Sequence, residues 1–312
     1  MAREILTRLL SSLLVLWLVS VIVFMLTALI PGDPALTILG ENATPEQIAE
    51  VHAQLGLDQP LVARYFQWLT AVLSGDLGQS LFSSQTVAGA IASRITPTVE
   101  LILFALVLSL LIGTAVGVIS SIRPRSVLDR AIQTLSSVGI AVPNFWLGAM
   151  LIAIFSISLA WLPSGDYTAF GDDPQRWARN LTLPVIALAA GGIAEIARQS
   201  RASLIDVQEM EFVRTLKAKG LDPVTIKLRH VLRSAMIPVV TVAGLQVNRL
   251  FGLSVLIEAV FRIPGIGSLL VSSVFTRDIV MVQGTVLLIT CVVIAVNLVV
   301  DLSYRWLNPK TV

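Results

Sequence analysis

Four stretches of this chain carry no charged residue over lengths that a soluble fold rarely accommodates: 9–30, 101–122, 131–162 and 279–300. A helix needs about 20 consecutive apolar residues to cross a hydrocarbon core of about 30 Å, and each stretch meets that length. Two further runs, 181–197 and 235–257, carry no charge apart from Glu195 and Arg249. Lipid cannot satisfy an exposed backbone, so all six read as helices. The pattern predicts an all-α polytopic membrane protein with six transmembrane helices, at about 1–30, 99–122, 131–160, 181–201, 235–257 and 280–304. The composition agrees, at 55% hydrophobic and 13% charged over 312 residues.

Lysine and arginine placement sets the orientation. With six spans both termini share a side, and 15 of the 22 basic residues fall on it, eight of them between Arg198 and Arg233. That side is expected to be cytoplasmic, in a multi-pass membrane protein. The net charge of +2 then reports topology and not a nucleic-acid partner. Arg3 and Arg8 ahead of an apolar run resemble a secretion signal. The run is too long for one and lacks a small-residue cleavage site, so a retained anchor is expected. The single cysteine, Cys291, lies inside the last span and excludes an intrachain disulfide.

Residues 31–96 are expected to form a small external helical segment. It opens on Pro31-Gly-Asp-Pro34. Thr44-Pro-Glu-Gln47 has the spacing of a capping box, with Thr44 as cap and Gln47 reaching back. That helix should end at Gly56. A second, from Leu61, places Tyr65, Trp68, Leu69 and Val72 on one face, an interfacial helix or a lid. Pro143-Asn144 inside the third run predicts a kink that packs on protein or lines a cavity. After the fifth span, residues 268–275 suggest a short helix dipping at the outer surface.

The richest segment is 203–236, a basic insert between two spans. Glu211-Phe-Val-Arg-Thr-Leu-Lys-Ala-Lys-Gly220 reads as a short amphipathic helix ended by glycine. Asp222-Pro223 then caps and opens a second helix. A solvated loop is one reading. A DNA-binding helix–turn–helix is disfavoured by the acidic residues Asp206, Glu209, Glu211 and Asp222 and by tethering to the bilayer at both ends. A docking element for another protein accounts for the glycine turn and for the apolar positions Phe212, Leu216 and Leu221.

Signatures of catalysis are missing: the chain has no phosphate-cradling G-x-x-x-x-G-K-[ST], H-E-x-x-H or G-x-S-x-G. His52 and His230 are expected in different compartments, which leaves no intrachain pair for a metal. Arg249 lies 11 residues beyond Pro238, about 16 Å along a helix and hence near mid-membrane. A charge there costs roughly 3 kcal/mol or more and usually faces a cavity or a partner. It either lines a pathway and attracts a substrate carboxylate, or forms a structural ion pair with Glu195 or with another subunit. Arg249, Gln246 and Asn144 are the candidate pathway residues.

The insert, continued by Arg229-His-Val-Leu-Arg-Ser-Ala-Met-Ile-Pro238, resembles the cytoplasmic coupling motif of ABC importer permeases of the dipeptide/oligopeptide family. Leu55-Gly-Leu-Asp58, Gly75-Asp-Leu-Gly78, Gly244-Leu-Gln246, Pro264-Gly-Ile-Gly267, Val282-Gln-Gly284 and Asn297-Leu-Val-Val-Asp-Leu-Ser-Tyr304 agree in order. The long external segment matches the first of two paired permeases. The resemblance implies the type I importer permease fold, with the core over 97–306. It further implies a non-catalytic permease working by alternating access. Glu211, Phe212, Arg214, Thr215, Leu216, Lys217, Ala218, Lys219 and Gly220 would couple to the ATPase. The implied partners are a second permease, two ABC ATPase subunits carrying ATP and magnesium, and an extracytoplasmic substrate-binding protein. No cofactor is expected in this chain. The implied cargo is peptide, with nickel, glutathione or oligosaccharide as alternatives inside the family. An energy-independent channel or carrier, or a membrane scaffold, are alternatives outside it.

Overall fold

The computed structural model describes residues 2–29, 34–40, 43–54 and 56–307. The predicted exit at Pro31-Gly-Asp33 lies outside them. The described chain is helical with no strand, in two compact units: residues 1–95 with 269–294, and 96–268 with 295–312.

In the first unit, α1 (Ala2–Ala28) and α4 (Leu61–Leu73) pack through aromatic rings. Phe24 meets Tyr65 and Trp68 at centroid distances of 5.4 and 5.6 Å. The Tyr65 hydroxyl lies 2.8 Å from that of Ser20. The aromatic face read from sequence therefore packs on α1. Between them lie α2 (Pro34–Leu39) and α3 (Pro45–Gln54). α3 begins with the predicted capping box: the Thr44 amide donates to Gln47 Oε1 (2.9 Å) and the Gln47 amide to Thr44 Oγ1 (3.4 Å). Gly56 follows it at φ +62°. Later in the unit, the carboxylate of Asp278 accepts from Ser80 Oγ at 2.5 Å and from the Met281 amide at 3.2 Å. It thus caps the start of α13 (Ile279–Leu307) and ties the segment around residue 80 to it.

The second unit is built on α8 (Pro174–Glu209). Asp173 caps it by accepting from the amides of Gln175 and Arg176, both at 3.0 Å. Its 36 residues span about 54 Å, so it runs well past both edges of the expected 181–201 span. α5 (Val87–Ile122) crosses it closely. A Cβ added at Gly113 would sit 2.8 Å from Ile196 Cβ, and one at Gly117 2.5 Å from Ser200 Cβ. These two glycines form a G-x-x-x-G pair, the small-residue spacing that lets membrane helices approach. The core joins Leu101 and Ala105 of α5 to Leu183, Leu188 and Ala189 of α8 and to Leu250, Ile257 and Phe261 of α11 (Leu232–Phe261).

The third predicted span is bent into two limbs. α6 (Val127–Ala141) and the segment Asn144–Ser158, which is α7 (Asn144–Leu151) continued by a wide helical turn, meet at 99°. Each limb has 15 residues, about 22 Å. Neither crosses a membrane alone, so the described chain holds five spans, or six if the bent pair counts as one. Val142 is extended (ψ 124°) ahead of Pro143 (ψ 130°), as the residue before a proline prefers, which turns the expected kink into a break. α12 (Ile266–Phe275) is the short helix expected after the fifth span. Fully buried Glu258 sits at its start, accepting from Thr98 Oγ1 (2.6 Å) and the Ser268 amide (2.9 Å). A Cβ at Gly265 would fall 2.3 Å from this carboxyl group. Pro264-Gly-Ile-Gly267 thus supplies room for a carboxylate at a helix N-terminus.

Candidate functional site

At Met210 the chain turns extended and leaves α8, and α9 (Glu211–Ala218) follows as an eight-residue helix. Val213 is 1% exposed and seats α9 on Leu204, Val207, Ile226, Val231 and Ala235. Leu216 and Leu221 pack on the same cluster, which corrects their expected place in a docking face. Helical spacing from Val213 carries Leu216 inward. The bare face holds Glu211, Phe212, Arg214, Thr215, Lys217, Ala218 and Lys219, so it is basic with one aromatic ring. Gly220, at φ +77°, closes the helix. Its amide donates to the Lys217 carbonyl (3.0 Å) and that of Leu221 to the Leu216 carbonyl (3.3 Å), the paired bonds of a left-handed glycine cap with its apolar contact. Asp222 accepts from the amides of Val224 and Thr225, both at 3.0 Å. Pro223 opens α10 (Pro223–Thr225), which passes through wide turns at Ile226–Val231 into α11. The helix runs on through Pro238.

Nearby, an ion pair fastens α6 to α8. Arg201 Nε and Nη2 donate to the two oxygens of Asp129 at 2.5 and 2.6 Å. Ser120 Oγ (2.5 Å) and the Arg125 amide (2.8 Å) also donate to this buried carboxylate. A bidentate pair of this kind, with both carboxylate oxygens further bonded, fixes geometry. Nothing in the sequence links residues 72 positions apart, and sequence reasoning missed it.

The candidate pathway residues come together in part. Arg249 Nη1 donates to Glu195 Oε2, and Gln246 Nε2 donates to the same oxygen at 2.7 Å. The ion-pair reading of Arg249 is therefore correct as geometry. Asn144 is elsewhere: its Nδ2 donates to the Leu188 carbonyl (2.9 Å), holding the start of α7 on α8. No cluster of His, Cys, Asp or Glu among the described residues could hold a metal ion.

The sequence matches the family model for the binding-protein-dependent transport system inner membrane component over residues 113–312. The N-terminal model of the same systems matches residues 1–102. The chain belongs to this permease family. A Brucella abortus protein named as a peptide transport system permease is 37% identical to it over 99% of both chains. The glutathione transport system permease GsiC of Salmonella typhi is 42% identical, over 99% of this chain and 98% of that one. The fold is similar to that of the MetNI methionine ABC transporter, with a TM-score of 0.58 at 18% identity, over 70% of this chain and 96% of that one. The permease thus has the type I importer fold, in a family that transports solutes through the inner membrane. The N-terminal model covers α1 to α4 and the start of α5.

Proposed function

We propose that this permease is the first of two membrane subunits of an ATP-driven ABC importer for short peptides, and that the bare face of α9 seats in a groove on an ATPase subunit. One observation carries the reading. α9 is held by a single face, at Val213 and Leu216, and offers the rest outward at the end of α8, the longest buried helix of its unit. A push on α9 is delivered to α8 through Met210 without crossing a flexible loop. That is what a rigid-body switch between two access states requires. Two ATPases, a second permease and an external binding protein complete the assembly. Phe212 fills an apolar pocket on the ATPase, ringed by contacts from Arg214 and Lys217. Both termini lie on the ATPase side, the bent pair α6–α7 counting as one crossing. The 37% relative named for peptide transport supports the cargo, and the 42% relative named for glutathione transport names the competitor to include.

The test is purification from native membranes followed by reconstitution. ATPase subunits should co-purify, and ATP should drive uptake of a labelled dipeptide. Phe212→Ala should lower uptake and release the ATPases. Flux through the chain alone, without ATP, would establish a carrier or channel instead. Preference for glutathione over every dipeptide tried would reassign the cargo.

A further inference from the structure

The Glu195–Arg249 pair stands where charge is costly, yet it is left within reach. They are the charged residues of the runs 181–197 and 235–257, with the polar Gln246 and Asn248 beside Arg249. The arginine side chain is 57% exposed and the glutamate side chain 27%. A cation turned toward hydrocarbon is strongly disfavoured, so this face of α11 meets water or protein. Leu245, Gly252 and Leu256 continue the exposed face at helical spacing, and a Cβ added at Gly252 meets nothing within 4 Å. No other part of this chain covers α11 at Gly252, one turn from Arg249.

The pair also retains hydrogen-bonding capacity. A guanidinium has five N–H donors. Among the described residues one is engaged, by Glu195 Oε2, which accepts from Gln246 as well. Gln246 is buried and pins that oxygen. Glu195 Oε1 accepts nothing among the described residues. An anionic acceptor and a cationic donor fork therefore lie side by side, both unfilled, in a pair that is neutral as a whole.

We propose that Glu195 and Arg249 form a site in the translocation pathway that reads zwitterionic peptides. Glu195 Oε1 takes the N-terminal ammonium and the guanidinium takes the C-terminal carboxylate. The charges then alternate in sign, and the internal pair stays intact while the cargo is bound. A solute with one charge leaves the other half of the site without a counter-charge, whereas a zwitterion matches both. Because the pair keeps its own bond, the cargo is held weakly enough to leave, as a pathway site requires. This inference rests on the peptide-importer reading above.

The complete complex in proteoliposomes, with saturating preloaded binding protein, is given a free dipeptide, its N-acetyl form and its C-terminal amide. Uptake per ATP hydrolysed is measured for each. Wild type should favour the free dipeptide over both blocked forms by about tenfold, the worth of one charge-assisted hydrogen bond. Arg249→Gln should abolish discrimination against the amide and keep that against the N-acetyl form; Glu195→Gln should do the reverse. Arg249→Lys keeps the charge and the pair but loses the fork, and should lose part of the amide discrimination. Equal proportional loss for all three cargoes, or wild-type indifference to blocking, would overturn the site and leave the importer reading standing. A wild-type complex that takes up none of the three overturns the peptide reading itself.

Discussion

Replacing Gly220 with alanine isolates the backbone contribution to the seating of α9. At φ +77° the residue is in the left-handed region, and an added Cβ meets nothing within 4 Å. The cost is therefore conformational and not steric crowding. An L-residue in that region costs about 1–2 kcal/mol, equivalent to a roughly 5–30-fold rise in the unseated population. The strain falls on the two closing bonds, Gly220 amide to Lys217 carbonyl and Leu221 amide to Leu216 carbonyl. Losing them also frees Leu216 and Leu221 from the cluster that holds α9. Amide hydrogen exchange between Val213 and Lys219 should speed up by that factor in Gly220→Ala, and uptake per ATP hydrolysed should fall. Gly220→Asn should be milder, because asparagine tolerates this region better than alanine. Wild-type exchange and uptake in Gly220→Ala would refute the reasoning. So would an asparagine variant as damaged as the alanine one, since strain would then not be the cause.

Asp129→Asn should destabilise the permease by about 3 kcal/mol, the lower end for breaking a buried pair, because Arg201 keeps 23% of its side chain exposed. Thermal melting in detergent reads this, and Asp129→Leu with Arg201→Met should cost less than the sum of the two single changes. Gly117→Ala should force α5 and α8 apart by about 1 Å, since its Cβ would lie 2.5 Å from Ser200 Cβ and 2.7 Å from the Ala197 carbonyl. Overpacking of that kind costs about 1–3 kcal/mol, whereas Gly252→Ala should melt like wild type. In the loop ahead of α8, burial and then the hydrogen bond to Glu100 push the Tyr167 hydroxyl from 10.0 up to about 12. Its folded-state value lies above the unfolded one, so its contribution is constant below pH 10 and is lost as pH rises from 10 to 12. Tyr167→Phe should flatten the fall of melting temperature across that window.

The parts of the fold that were legible in the sequence rest on short-range interactions. The capping box at Thr44, the glycine closure at Gly220, the Asp222-Pro223 start and the length of most apolar runs each involve residues only a few positions apart. Their energetics travel with the local sequence. The 99° break at Pro143 was not legible, because both limbs are apolar and a proline marks a kink and a break alike. Nor were the true ends of α8, whose polar flanks stay helical well beyond the apolar stretch. Leu216 is the instructive case: its apolar character was plain, but whether it faced a partner or its own core depended on where Leu204 and Ile226 came to rest. The same holds for Asp129 with Arg201 and for Glu195 with Arg249, ion pairs across 72 and 54 positions. By itself the sequence determined the membrane class, most spans and the short capped helix at 211–220, since hydrophobic length and end caps are properties of contiguous residues. Only the tertiary structure decided which charges meet and which faces stay bare, since those follow from the crossing of α5, α8 and α11 and are encoded in no single stretch.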